Sequence, residues 1–288
     1  MDRNLAMVYG YRDHPALRGS FNALAAAVFG LDFEPWYRNG FWGRAYEPHS
    51  LVRDGQVVSN VSLNWINGSL AGQSRRYIQL GTVMTREDCR GLGYNRRLME
   101  AVLGLEYDSD GVFLYANDSV LDYYPKFGFQ PGKEYRYRLA LDGGEKAARL
   151  VPMETPSDWG SFLGEIAGRK SMGLLQLDTP GLLMFYLSQD MKNSVFFLPE
   201  LDAVAIAEAD GGTLTLFDVY AGRQVKLTDV CRCFGPEVRQ VEFAFTPGDV
   251  SGLDVYEYRE DDTTLFIRGD GLARDLERLK GFPALAHA

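Results

Sequence analysis

The run Gly81-Thr82-Val83-Met84-Thr85-Arg86-Glu87-Asp88-Cys89-Arg90-Gly91-Leu92-Gly93-Tyr94-Asn95-Arg96-Arg97-Leu98 reads as a strand, a turn with an arginine and two glycines, and a helix. Backbone N–H groups in the first helical turn have no intrahelical partner, and the helix dipole is positive there. Gly91 and Gly93 remove side chains that would block a ligand, and Arg90 adds a charge-assisted donor, with Arg96 and Arg97 adding field. The turn is therefore suited to a phosphate or pyrophosphate. It is not a Walker loop, which needs Gly-x-x-x-x-Gly-Lys-Ser/Thr. Nor is it a dinucleotide fingerprint, because Arg96 stands where the third glycine belongs. The spacing fits Arg-x-x-Gly-x-Gly/Ala, with Asn95 departing at the last position.

Outward from this run, periodicity predicts the neighbouring elements. Leu17, Phe21, Leu24 and Val28 share one helical face. The aromatic stretch from Phe33 to Tyr46 reads as irregular or short helical turns, either packing into the core or walling a substrate pocket. Asp54-Gly55 predicts a hairpin turn, after which Val61, Leu63 and Trp65 alternate with Asn60, Ser62 and Asn64. A strand runs from about Tyr77 to Thr85 and a helix from about Asn95 to Leu105. Val112 to Ala116 is a continuous apolar run, as in a strand buried on both faces. Asp118 to Phe127 reads as one short helix ended by Gly128, and Tyr135 to Leu141 as a strand.

A second motif follows the buried strand: Asn117, Tyr124 seven residues on, then Gly128-Phe129. Together the two stretches resemble the GNAT superfamily of N-acetyltransferases over about residues 1–140. The resemblance implies a mixed α/β (α+β) fold, with a central sheet whose two parallel strands splay apart around acetyl-CoA. It implies that Val83, Met84 and Thr85 offer main-chain hydrogen bonds to the pantetheine arm. Arg90, Gly91, Leu92, Gly93, Tyr94 and Asn95 would hold the pyrophosphate, and Asn117 would contact the arm or order the splay. Asn95 either crowds the phosphates or points away and caps the helix. Tyr124 would sit near the thioester sulfur as general acid, its ordinary pKa of ~10 suiting a donor to a thiolate.

A cationic amine must lose a proton before it attacks a thioester, so a carboxylate or water chain is needed as base. A main-chain N–H near Met84 would serve the developing oxyanion. Glu34, Trp36, Glu47 and His49 lie in the stretch expected to line the acceptor pocket, although each of the ionisable three suits a solvated or structural role better. Glu87 and Asp88 suit the turn.

The 288 residues suit one large domain or two small ones at roughly 100–200 residues each. A turn-rich linker, Asp142-Gly143-Gly144-Glu145-Lys146, predicts an acetyltransferase domain over 1–141 and a second, GNAT-like domain over 150–288. In the second half Phe162–Leu175 and Leu227–Phe234 read as helices. Strands are expected at Val195–Leu198, Ala203–Ala207, Thr213–Val219, Val241–Phe245 and Thr264–Ile267. The order partly repeats that of the first half without residue-level repetition or a second Arg-Gly-Leu-Gly loop, so no second cofactor site is expected. Such tandems resemble the enhanced intracellular survival family without its third domain. By that resemblance Ala288 is the candidate for a C-terminal carboxylate reaching the active site.

A net charge of −9, from 30 basic and 39 acidic residues, argues against nucleic acid as partner. No apolar run reaches a membrane span, and Met1 to Tyr11 lacks the pattern of a signal peptide. Three cysteines make no disulfide framework, so a reducing cytoplasm is expected, and Cys231-Arg232-Cys233 reads as structural with no metal. The expected activity is acetyl-CoA-dependent N-acetylation of a small-molecule or peptide amine, in a chain that is monomeric or homo-oligomeric. The alternative is a non-catalytic acyl-CoA-binding regulatory or scaffolding protein. A longer acyl or aminoacyl donor is a third reading.

Overall fold

Strand β1 (Leu5–Tyr9) leads into helix α1 (Pro15–Phe29), which begins at a proline and ends at Gly30 with φ 72°. Its predicted face packs Phe21 and Leu24 into a core of aromatic rings from α2 (Glu34–Arg38) and the following turn. Strands β2 (Tyr46–Arg53), β3 (Gln56–Leu70) and β4 (Gln73–Thr85) form an antiparallel meander, with Asp54-Gly55 at the first turn. Helix α3 (Tyr94–Leu103) crosses over to β5 (Gly111–Ala116), which runs parallel to β4. Short β6 (Gln130–Pro131) and β7 (Glu134–Ala140) follow. The expected helix over Asp118–Phe127 is instead two 3-10 turns, Asp118–Val120 and Tyr124–Phe127. Pro125 has no N–H to continue an α-helix.

After β8 (Arg149–Leu150) comes α4 (Pro156–Ala167), started by a capping box in which Thr155 and Asp158 exchange hydrogen bonds. The expected helix over Phe162–Leu175 is thus shifted toward the N-terminus. Beyond Gly168 the chain forms β9 (Lys170–Ser171) and β10 (Leu175–Leu177), because its backbone groups pair with two sheets. Helix α5 (Pro180–Leu187) leads to β11 (Val195–Leu198), β12 (Ala203–Asp210) and β13 (Thr213–Ala221). Helix α6 (Leu227–Arg232) crosses to β14 (Gln240–Phe243), which is parallel to β13. Strand β15 (Asp254–Tyr258), β16 (Thr264–Arg268) and helix α7 (Asp270–Leu279) complete the chain. The structure, a computed structural model, describes residues 4–287.

The described strands make two mixed sheets of eight strands each. The first has the order β1-β2-β3-β4-β5-β16-β6, with β10 added at the end of β3. The second has the order β15-β7-β14-β13-β12-β11-β8, with β9 added to β13. Each sheet therefore contains a parallel pair joined by a crossover helix, β4-α3-β5 and β13-α6-β14. Each also takes a strand from the other half. Strand β16 lies along β5, Phe266 opposite Leu114, and β7 lies between β14 and β15, Tyr137 opposite Phe243 and Val255. The expected 1–141/150–288 division separates neither sheet, since β7 precedes it and already belongs to the second.

The exchange sets the core. One face of β5 packs Val112 and Leu114 against α3. On the other, Phe113 meets Leu182, Leu265, Leu272, Leu276 and Phe282, all from the second half. A polar lock adds to this contact: Asp275 on α7 accepts from Arg75 Nε at 2.6 Å and from the Tyr77 hydroxyl at 2.7 Å. Burial opposes the Asp275 charge, but the bonds from Arg75 and Tyr77 outweigh it and hold the carboxyl below its ordinary range.

A fragment 1–142 exposes the Phe113 face and leaves one edge of β5 unpaired. At ~1.5–3 kcal/mol per large apolar side chain, the five lost partners amount to about 10 kcal/mol, comparable to the whole stability of a typical domain. The fragment is expected to aggregate or to lack a cooperative melt by circular dichroism, and a soluble, cooperatively melting fragment would contradict the interdependence. Asp275→Asn is expected to lower stability by about 3 kcal/mol near neutral pH, read by denaturant titration. A depressed carboxyl stabilises above its unfolded pKa and loses that contribution as pH falls through its folded one, so variant and wild type converge in acid.

Candidate active site

Strands β4 and β5 pair from Tyr77 opposite Gly111 to Leu80 opposite Leu114 and then part. Beyond that point β4 stays with β3, and β5 stays with β16 as far as Ala116 opposite Thr264. At the parting, β4 carries a bulge. Between Asn60 opposite Met84 and Ser62 opposite Gly81, β3 advances two residues while β4 advances three. The extra residue falls at Thr82-Val83, and Thr82 takes a φ of 39°, a conformation that a β-branched residue adopts only when its surroundings hold it.

A buried polar network does the holding. The Asn60 amide donates to the Thr82 carbonyl at 2.9 Å and to its hydroxyl at 3.0 Å. The Tyr46 and Ser62 hydroxyls each lie 2.7 Å from the Thr82 hydroxyl. Ser50 donates to Asn60 Oδ1 at 2.8 Å, and the Tyr11 hydroxyl is 2.6 Å from Ser50. Asn60, Ser62 and Ser50 are wholly buried. The alternation of Asn60, Ser62 and Asn64 with Val61, Leu63 and Trp65 is therefore a strand with a buried polar face. Sequence reasoning saw the alternation but assigned these residues no role, and a polar row beside a bulge was the available signal.

After Thr85 a single 3-10 turn, Glu87–Cys89, brings the chain to Arg90. Asp88 serves this turn, accepting from Arg86 Nε at 2.6 Å, a bond that lowers its carboxyl pKa. Arg90 is exposed, its Nε 3.4 Å from the Thr85 carbonyl. Gly91 and Gly93 both have φ 76°, and nothing lies within 4 Å of where a Cβ would stand at either. Gly93 is the N-cap of α3, and no side chain caps that helix. Leu92 is exposed and Tyr94 buried. Asn95 Oδ1 accepts from the Tyr123 hydroxyl at 2.7 Å, so the side chain turns aside from the loop without capping the helix.

Tyr124 begins the second 3-10 turn and is 5% exposed. Its ring packs on Tyr123, Phe129 and Phe266, the last at 5.7 Å from the exchanged strand β16. Burial raises the phenol pKa well above 10, so the proton stays on at any ordinary pH. Asn117, at the end of β5, donates to Asp262 Oδ2 at 3.0 Å, tying the strand end to the loop before β16. Val83 is half-buried in the bulge, Met84 is buried against the α1 core, and the Thr85 hydroxyl is 2.8 Å from Ser59.

Each residue expected at the acceptor pocket has a partner within the protein. Glu34 pairs with Arg18 at 2.9 Å and Arg38 at 3.1 Å, and Arg18 holds its carboxyl below the usual range. Trp36 is 3% exposed and donates to the Gly181 carbonyl at 2.7 Å. Glu47 Oε1 lies 2.7 Å from His49 Nε2, and burial lowers the His49 pKa against the pull of Glu47. Ala288, the expected source of a C-terminal carboxylate, lies outside the described residues.

In the second sheet, β13 and β14 also pair in parallel, from Thr213 opposite Gln240 to Leu216 opposite Phe243, and then part. Here the gap is filled by the chain itself. Ser171 pairs with Tyr220, and the Met172 N–H bonds the Val219 carbonyl at 2.8 Å. On the other side the Leu174 N–H bonds the Thr246 carbonyl at 2.8 Å, and the Gly248 N–H bonds the Met172 carbonyl at 2.8 Å. Residues 170–174 thus hydrogen-bond both diverging strands and close the second gap.

Residues 18–132 match the family model described as an acetyltransferase (GNAT) domain. No curated protein matches the chain. Among solved structures, a GCN5-related N-acetyltransferase from Kribbella flavida is 17% identical, with a TM-score of 0.55, over 92% of this chain and 72% of that one. A probable N-acyltransferase from Enterococcus faecalis V583 is 10% identical, with a TM-score of 0.54, over 94% and 74%. A GCN5-related N-acetyltransferase from Anabaena variabilis is 13% identical, with a TM-score of 0.50, over 91% and 72%. At these identities the likeness is one of fold, and it runs through both sheets. The chain thus has the two-sheet fold of these GNAT-like proteins, and within it residues 18–132 match the acetyltransferase (GNAT) domain model.

Proposed function

We propose that the chain is an acetyl-CoA-dependent N-acetyltransferase that acts on a primary amine of a small molecule or peptide. The observation that carries this reading is the parting of β4 and β5 beside the Thr82-Val83 bulge, with the open Gly91 and Gly93 turn next to it. The residues present fit the cofactor. Two left-handed glycines free of neighbours let a phosphate approach the backbone, and the uncapped start of α3 presents its amides. Arg90 to Asn95 would hold the pyrophosphate, and Val83 to Thr85 would bond the pantetheine arm through the main chain. When bound, acetyl-CoA supplies an activated acetyl thioester.

The chain's own groups then have separable tasks. The network centred on Asn60 fixes the bulge, whose main-chain N–H groups would receive the negative charge that develops on the thioester oxygen. Tyr124 keeps its proton because it is buried and is the phenol assigned to protonate the departing thiolate, although its raised pKa makes it a weaker donor than the ordinary ~10 would. The amine gives its proton to a carboxylate or a water chain and attacks the thioester directly, without a covalent intermediate on the protein, and CoA leaves as the thiol. Glu34 ties α2 to Arg18 of α1, and Trp36 ties α2 to the Gly181 carbonyl of α5.

Release of free thiol from acetyl-CoA with a panel of primary amines tests the reading. Binding of CoA with no thiol release for any amine would favour the non-catalytic acyl-CoA-binding alternative. Tyr124→Phe is expected to lower kcat about 100-fold while leaving the KM for acetyl-CoA nearly unchanged. An unchanged kcat would remove the phenol from the mechanism. Asn60→Ala leaves the Thr82 carbonyl without its amide partner. It is expected to cost about 1–3 kcal/mol by thermal or denaturant melt and to lower kcat with it.

A further inference from the structure

A cavity of about 370 Å³ lies between the two sheets, away from the Gly91-Gly93 turn. Its walls come from both halves: Tyr115 on β5, Glu134 and Arg136 on β7, Tyr186 on α5, Phe217 on β13, and the segment from Gly281 to His287. Neither cofactor motif reaches it, and the activity proposed above does not use its charged groups.

The chemistry of the lining is specific. Glu134 Oε1 accepts from the Tyr115 hydroxyl at 3.1 Å, and the Phe282 backbone also bonds this carboxylate. Glu260 adds a second carboxylate. The one guanidinium, Arg136, is laid flat against the Tyr258 ring at 3.4 Å. His287 places its ring 4.1 Å from Tyr115, and burial lowers its pKa to about 4, so it is neutral and does not repel a cation. The remaining surface is largely aromatic, with Phe217, Phe245 and Phe282 beside the tyrosines. A carboxylate among ring faces attracts a cation with an apolar body, through charge and through the ring quadrupoles.

We propose that this cavity binds a small organic ammonium ion, its nitrogen against the Glu134 carboxylate and its body among the Tyr115, Tyr186 and Phe217 rings. The site stands independently of the acetyltransferase reading, because its walls and its counter-ion do not include the cofactor residues.

A pH signature follows. Burial raises the Glu134 pKa to about 7, against the pull of Tyr115 and Arg136. Of the groups facing it, Tyr115, Tyr186 and Tyr258 are raised by burial and stay protonated and His287 stays neutral through this range, and the Arg136 guanidinium and the Glu260 carboxyl complete the set. An ammonium ion favours the ionised carboxylate, so binding releases a proton near neutrality and weakens as pH falls below about 7.

The test uses the full chain, titrated calorimetrically with a panel of alkyl and arylalkyl primary amines and with the alcohols of the same shape. At pH 8 at least one amine is expected to bind ten-fold or more tightly than its alcohol, and to lose about ten-fold in affinity at pH 6. Glu134→Gln, which keeps an acceptor for Tyr115, is expected to abolish both the preference and the pH dependence. The wild-type comparison of amine with alcohol needs no variant, so it decides the matter even if Glu134→Gln melts early. No binding by any amine, equal binding of amine and alcohol, or an unchanged Glu134→Gln would each overturn the proposal. Adding acetyl-CoA separates the two sources of such an ion: a bound amine that is consumed is the acceptor, and one that is not is an effector. Either result retains the site.

Discussion

The edge of β5 that faces away from β4 must find hydrogen-bond partners, and in this chain it finds them on β16, more than a hundred residues later. Reciprocally, β14 is completed by β7 from the first half. Most other features rest on this exchange. It buries Phe113 against α5 and α7, and it carries Phe266 to the ring of Tyr124. It also brings Asp262 to Asn117 at the mouth of the β4–β5 gap. The second half is thus part of the first half's framework.

The two sheets start from one plan and diverge in their gaps. Both have a parallel pair with a crossover helix, and both pairs part after four residues of pairing. In the first, a bulge stabilised by buried hydroxyls and an amide stands beside a glycine turn and a ten-residue helix. In the second, residues 170–174 hydrogen-bond both sides of the gap, and the crossover helix has six residues. Backbone groups at a parting of strands need partners, and one sheet meets that need internally. The same segment continues into β10 at the edge of β3, so the eight residues 170–177 stitch the two sheets together.

Much of this was legible in order along the chain. The periodicity of Leu17 to Val28, the Asp54-Gly55 turn and the Val112–Ala116 run each report local geometry, and each element formed as read. The misreadings came from signals that were local but overlooked, or from forces that are not local. The capping box of Thr155 and Asp158 moves α4 toward the N-terminus of its expected span. Pro125, within the second 3-10 turn, has no N–H to carry an α-helix through the expected span. The partners of Glu34 and Trp36, Arg18 and the Gly181 carbonyl, are set by tertiary contacts that local spacing does not report.

By itself the sequence determined the Gly91-Gly93 turn before α3, the motif that ends in Tyr124 and Gly128-Phe129, and the doubling of the element order. These depend on spacing within a few residues, where helix dipoles, glycine conformations and side-chain periods act. The tertiary structure decided what lies between distant segments: which strand completes each sheet, which gap is filled, and what surrounds Glu134. Those outcomes depend on competition among segments for the same edges and faces, and burial and hydrogen bonding settle that competition only when the whole chain is assembled.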